Sequence, residues 1–417
     1  MTSSCPPFFW ASNEKKCLIL QPTNRHIYKN MITDTKHHAR YALMILYFFS
    51  GFFFATLFSR LPGLKEIYGF DYAHLGLIQF CMSIGSLLCM PVCANMANKY
   101  GSNRLTKMGY MVGIIFALLP IMPTQCVLFP VCMAYGICAS LYDIAINGNS
   151  IIVEKSYKRA ILSKFHAIYY VGTCVGAICS ILFITFNVPV SVHFAITSIL
   201  GFCELTIVRP FLLKEKPAKE VANGKFKLMF PKGLLLLIAF IALFSRVVEG
   251  VVSSWSTEYM KSVITLTENL APIGLAVYAA FMSIGRFMGD FIRSRFHEPY
   301  ILVVCSLSAA CGLALMTCST TLSLTLCGIL VTGFGMSCLV PIIYSLAGKQ
   351  KNVSPGTGIA MVNTISGTGF LLGPFLVGII AHNLGLRASF TYVFMLAVMM
   401  LILSSVFWTK KGRPVKR

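Results

Sequence analysis

The sequence predicts an all-α membrane protein whose twelve transmembrane helices form two six-helix bundles. Three observations predict it. The 417-residue chain contains twelve separate apolar stretches of roughly 18–25 residues, the length a helix needs to cross a bilayer's hydrocarbon core. A polar segment at 214–232, with Lys216, Pro217, Lys219, Asn223, Gly224, Lys225 and Lys227, divides them six and six. Lys and Arg crowd into the tails and into every second loop, which is the bias that orients inner-membrane and plasma-membrane proteins.

The elements follow in order. Residues 1–40 read as an N-terminal cytoplasmic tail without fixed structure. The apolar runs Phe8–Trp10 and Cys17–Leu20 are too short for a signal peptide, and Met31 is an alternative start. The first bundle, 41–213, holds apolar stretches at 41–61, 75–97, 105–123, 126–150, 164–186 and 192–213. The second, 233–408, holds 233–257, 271–293, 299–317, 321–346, 358–382 and 386–408. Residues 409–417 form a basic tail. The even-numbered loops carry Lys99, Arg104 and Lys107, then Lys155, Lys158, Arg159 and Lys164, then the linker, then Arg293 and Arg295, then Lys349 and Lys351. The intervening loops offer only Lys65, Lys261 and Arg387. Every basic segment therefore falls on one side, and the expectation is an inner-membrane protein with both termini in the cytoplasm. One span more or fewer would reverse all later loops, so the consistency supports the count.

Composition excludes other classes. With 56% hydrophobic and 12% charged residues and a mean hydropathy of +0.75, this is not an ordinary soluble globule. The formal charge of +21 does not indicate a nucleic-acid partner, because the basic loops lack interleaved aromatics and any reading motif. The 16 cysteines are scattered in apolar runs without a Cys-x-x-Cys, so neither a metal site nor a disulfide framework is expected. No nucleotide loop and no nucleophile-base constellation occurs. No cofactor and no catalytic residues are expected, and an ATP-driven pump or a membrane-embedded enzyme is disfavoured.

An internal repeat relates the halves. His166-Ala-Ile-Tyr-Tyr-Val-Gly172-Thr-Cys-Val-Gly176 in the fifth stretch is similar to Asn363-Thr-Ile-Ser-Gly-Thr-Gly369-Phe-Leu-Leu-Gly373 in the eleventh. Both set a polar residue six positions before a Gly-x-x-x-Gly, a pairing that lets helix backbones approach closely in lipid. Met-Ser-Ile-Gly occurs at 82–85 and again at 282–285, although the basic turns that follow come at different distances and leave that register open. Parallel six-span repeats suit carriers that alternate access around a midplane site.

Over about residues 41–408 the chain resembles the major facilitator superfamily. Asn98-Lys99-Tyr100-Gly101 and Gly285-Arg286-x-x-Gly289-Asp290 are degraded copies of its cytoplasmic signature, without the usual gating carboxylate. Within it, the chain is similar to the fucose-permease-related branch and its YbjJ-like bacterial inner-membrane permeases. Ser59-Arg60-Leu61-Pro62, Asp143-Ile-Ala-Ile-Asn147, Val153-Glu154, Phe165-His166-Ala167, Glu249-Gly250 and Trp255 carry that resemblance. It implies that Asp143, matching the acidic position of fucose permeases, takes part in proton coupling. Their second functional carboxylate has no counterpart, since no Asp or Glu lies between Tyr41 and Arg60.

Ionisable residues inside a membrane are expensive, which makes them functional candidates. Asp143, Asn147, Ser150 and Glu154 share one face of the fourth helix; they line a cavity, or else the lower members tie the helix end to its loop. Arg246, Glu249, Ser253 and Ser256 form a second stripe on the seventh, either a substrate clamp or a self-neutralising pair. Trp255 reads as an interfacial anchor or a stacking platform, and His166 as a helix-helix donor or a titrating partner of Asp143. Arg60 and Asn363 complete the candidate substrate or proton sites. Arg286 is expected to offset Asp290, and Glu204 to sit in a structural polar pair. The expected protein is a monomeric secondary transporter in contact with lipid. It moves a small polar organic solute, such as a sugar, by alternating access, with proton symport favoured over uniport. A drug or metabolite exporter is the alternative, and a non-transporting receptor a remote one.

Overall fold

The computed structural model describes residues 22–157, 161–213, 230–350 and 353–411, and no strand occurs among them. Twelve helices are long and apolar enough to cross a membrane. Numbered in chain order, they are Thr35–Ser59, Tyr72–Cys89, Ser102–Ile121, Gln125–Tyr157, Leu162–Thr185 and Val190–Phe211 in the first half. In the second half they are Leu234–Ser262, Ile273–Arg295, Glu298–Cys318, Leu322–Gly348, Pro355–Leu384 and Leu386–Lys410. Pro120 ends the third in a single 3-10 turn, and the tenth breaks between Met336 and Leu339.

The first helix differs from expectation at its start. It runs unbroken over Pro22–Ser59, so the tail expected to lack structure is helical from Pro22. Ala39, Ala42 and Leu43 are buried against Val153, Ile161 and Leu205. Lys36 Nζ and the Arg40 guanidinium lie 5.2 and 5.6 Å from the Tyr157 ring centre. The basic residues that make this stretch look like a solvated tail are thus anchored on the end of the fourth helix. The expectations for residues 1–21, for linker residues 214–229 and for 412–417 lie outside the described residues.

The packing repeats between halves. Helix one packs on five and helix seven on eleven; two packs on four and eight on ten; three packs on six and nine on twelve. The glycine motifs explain these contacts. Gly172 and Gly176 face Phe48 and Phe52 of the first helix, while Gly369 and Gly373 face Leu243 and Val247 of the seventh. Gly85 abuts Met133 and Ile137 of the fourth helix, and Gly285 abuts Phe334 and Ser337 of the tenth. The two Met-Ser-Ile-Gly stretches therefore occupy equivalent places, and the register left open by the sequence is settled.

Two helix pairs carry most of the contact between the halves, two with eleven and five with eight. At the end away from the linker the first pair is closed. The backbones of Gly76 and Gly378 meet there, and the rings of Phe80 and Phe375 stack at 4.5 Å. Charges reinforce the closure. A short helix, Leu61–Tyr68, carries Lys65 and Glu66, and ends at Gly69 in the left-handed region (φ 64°). Lys65 Nζ lies 3.0 Å from Glu258 Oε1, and Lys261 Nζ lies 2.5 Å from Glu66 Oε1, two crossed pairs between the halves. His382 Nδ1 is 3.2 Å from Asp71 Oδ2. Desolvation raises the Asp71 carboxyl, but it accepts from the His74 amide and faces the rings of His74 and His382, and these hold it below its usual range.

Candidate functional site

Beyond the Phe80–Phe375 stack, helices two and eleven enclose a cavity of about 570 Å³ between the halves. Its first-half wall includes Gln79, Ser83 and Ser86 of helix two, Phe54 of helix one, and Tyr135, Asp143 and Asn147 of helix four. Arg246, Asn363 and Phe370 face them from the second half. Ser83 and Ser86 alternate with apolar neighbours, and Asp143 and Asn147 sit one helical turn apart, so both polar rows point inward. Asp143 lies midway along its helix yet is exposed to the cavity.

The fourth-helix stripe divides by role. Asn147 donates from Nδ2 to the Asp143 carbonyl at 2.8 Å and accepts from Tyr47 Oη at 2.8 Å, linking helices four and one beside the cavity. Ser150 donates to the Ile146 carbonyl at 2.7 Å and to Tyr47 Oη at 3.2 Å. Glu154 Oε2 accepts from the amides of Ile161 and Leu162 at 2.8 and 2.7 Å, and so satisfies the start of the fifth helix. The cavity reading of the stripe therefore applies to Asp143 and Asn147, and the structural one to Ser150 and Glu154.

The second-half wall is built around Glu249, which is 5% exposed. Its Oε1 accepts from Tyr170 Oη at 2.6 Å and lies 3.3 Å from Arg286 Nη2, while Oε2 lies 3.2 Å from Arg246 Nη1. The Arg286 guanidinium also sits 4.8 Å from the Tyr170 ring centre. Arg246 extends to Tyr344 Oη at 3.5 Å, and Tyr344 donates to Asn363 Oδ1 at 2.8 Å. One carboxylate thus holds two guanidiniums, and the pair expected on one helix is a network over five. Arg286 does not offset Asp290 as expected, because its side chain turns into the interface and pairs with Glu249.

Other candidates lie elsewhere. Arg60 is 4% exposed and donates from Nη2 to the Val188 carbonyl at 2.6 Å and from Nε to His193 Nδ1 at 3.2 Å, a brace between helices one and six. Trp255 is fully buried, so it is neither an interfacial anchor nor a platform on the cavity wall; the ring of Tyr72 is 6.5 Å away. His166 stands behind the wall, edge-on to the Tyr47 ring at 5.3 Å. Glu204 is buried, but no polar partner for it is found among the described residues, and its Oε1 makes no hydrogen bond. Tyr170 and Tyr344 were not candidates in the sequence. Tyr170 sits inside the repeated glycine segment, the one available signal, and Tyr344 has none.

Twelve helices in two repeated bundles around a cavity between the halves, largely apolar with a few polar groups, define a membrane carrier. A profile of the Major Facilitator Superfamily matches residues 43–354, and the chain belongs to that family. It is 28% identical over 363 residues to an uncharacterized transporter, y4wD, of Sinorhizobium fredii, covering 86% of this chain and 95% of the relative. It is 24% identical over 411 residues to a glucose/galactose transporter of Brucella abortus, covering 88% of this chain and 94% of that one. The nucleoside transporter NupG has the same fold, with a TM-score of 0.68 at 14% identity over 90% of this chain and all of NupG.

Proposed function

We propose that this major facilitator transporter is a secondary active carrier for a small polar organic solute, a sugar or sugar-like metabolite, driven by proton symport. The observation that carries the reading is the bipolar cavity, with Asp143 and Asn147 on one wall and Arg246 and Asn363 on the other. Its volume of about 570 Å³ lies within the usual range for small-molecule sites. Hydroxyl-rich solutes need both donors and acceptors, and Phe54, Tyr135 and Phe370 offer faces for a ring. The glucose/galactose transporter among its relatives supports a sugar. Asp143 is the coupling residue in this reading, because a cavity carboxylate without a cation partner can carry a proton in one state and release it in the other. In this reading the basic loops favour a cytoplasmic linker end in an inner membrane, and closure at the far end corresponds to the inward-facing state.

The test begins with a thermal-shift screen of the purified protein across sugars, nucleosides, amino acids and organic acids. A ligand that binds the folded carrier raises its melting temperature. The stabilising solute is then followed in proteoliposomes under an imposed pH gradient. Uptake that follows protons inward supports symport. Accumulation against the gradient direction indicates an exporter, and binding without flux indicates a receptor.

A further inference from the structure

The cavity does not end at the Asp143 wall. An arm runs between helices one, three, four and six, where Ser50, Phe53, Gly109, Tyr142, Gly201 and Glu204 line it. Two glycines shape it. A Cβ on Gly109 would lie 2.9 Å from the Tyr142 ring, and one on Gly201 would lie 2.6 Å from the Phe53 ring. Both rings close over the arm because those positions carry no side chain.

Glu204 is 7% exposed, and its Oε1 has no hydrogen-bond partner. Burying a lone carboxylate anion is strongly unfavourable even after relaxation. The groups facing it offer no counter-charge. From helix four these are Tyr142, with Asp143 next to it; from helix one Ser50 and Phe53, with Tyr47 further along; from helix three Gly109 and Val112. Tyr110 of helix three is engaged with Thr206 at 3.0 Å. Among the described residues, the cation on the cavity wall is Arg246, which stands in the other half and is held by Glu249. Among the described residues no ion pair reaches this side chain, and it lines the same cavity as Asp143.

We propose that Glu204 is a second proton site of this carrier, reached from the cavity through the arm beside Tyr142. The proposal rests on the proton-coupled reading above and deepens it, supplying a second carboxylate in the first bundle where the first helix offers none. In the loading step, a hydronium ion entering the arm gives up a proton: its O–H bond breaks, it leaves as water, and a new O–H bond forms on the carboxylate. In the release step that bond breaks, its electron pair stays on oxygen, and the proton returns to water.

Infrared difference spectroscopy of the purified full-length protein, between acid and alkaline buffers, tests this without any solute. A desolvated carboxylic acid has a C=O band apart from the carboxylate bands. Wild type should show two such pH-dependent bands; Glu204→Gln should lose one and keep the other, and Asp143→Asn should do the reverse. A Glu204→Gln spectrum identical to wild type overturns the proposal. If that variant does not fold, the conservative Glu204→Asp replaces it. One of the two bands should then move, and two unmoved bands overturn the proposal equally. An Asp143→Asn spectrum identical to wild type, with one band lost in Glu204→Gln, would sink the coupling role of Asp143 and leave that of Glu204 standing.

Discussion

Asp143 and Glu249 are both carboxylates in membrane helices, and their surroundings give them different work. Asp143 faces the cavity without a cation, while Glu249 holds two guanidiniums and a phenol. Asp143→Asn keeps shape and hydrogen bonding but cannot titrate, so it should abolish pH-driven uptake and leave counterflow exchange of the screened solute largely intact. Uphill transport at the wild-type rate would make Asp143 structural. Glu249→Gln leaves Arg246 and Arg286 facing each other, and removing one partner of a buried ion pair costs about 3–5 kcal/mol. It should lower the melting temperature and weaken solute binding in the same preparation; an unchanged melt would mean that the guanidiniums find other acceptors. Asp143 and Asn147 were legible in the sequence because they lie one turn apart on one helix. Arg286 was misread because its partner is 37 residues away, and only the packing of helices seven and eight brings them together.

At the scale of the element, small residues determine where helices touch. Gly172 and Gly369 each allow a backbone approach that any Cβ would obstruct, and overpacking of this kind costs about 1–3 kcal/mol. Gly85→Val and Gly285→Val should lower the melting temperature by similar amounts, because the two sites are equivalent contacts of helices two with four and eight with ten. Gly356→Ala is the control: nothing lies within 4 Å of its added methyl, so no loss is expected there. A large loss at Gly85 with none at Gly285 would break the equivalence. The helices, their number and the repeat were legible from hydropathy and glycine spacing. The helical start at Pro22 was not, because the aliphatic face of residues 36–43 is masked by the charges around it.

At the scale of the molecule, the two bundles meet through few charged contacts, which makes closure of the far end open to test. Lys65→Glu should loosen that end, and adding Glu258→Lys should restore it, read as the accessibility of a cysteine placed at Gly76. Asp71 contributes in a pH-dependent way. Most of the lowering of its carboxyl comes from His74 on its own side, and only the weaker attraction to His382 crosses the halves; that part is fully present above the ordinary carboxylate range and is lost as pH falls through the lowered value. Acidification should therefore raise accessibility at Gly76, and less so in Asp71→Asn. Reporter fusions at Gly101, Asn223 and Lys411 should report cytoplasm, and fusions at Thr124, Asn187 and Thr267 the other side. An external signal at Asn223 would overturn the six-plus-six orientation. Co-expressed fragments 1–222 and 223–417 should reassemble in the membrane if each bundle folds by itself.

The meeting of Gly76 and Gly378 also has a mechanical consequence. From Gly76 to the far end of its helix at Tyr100 is about 36 Å of rigid rod, at a rise of about 1.5 Å per residue. A rotation of about 10° at that contact therefore sweeps the distal tip through about 6 Å, a gain set by helix length alone. Two bare backbones with no interlocked side chains are suited to serve as the bearing, since they can roll without unthreading a knob from a hole. Rocking about this contact would turn a shift of about 1 Å one helical turn from it into several ångström at the opposite face.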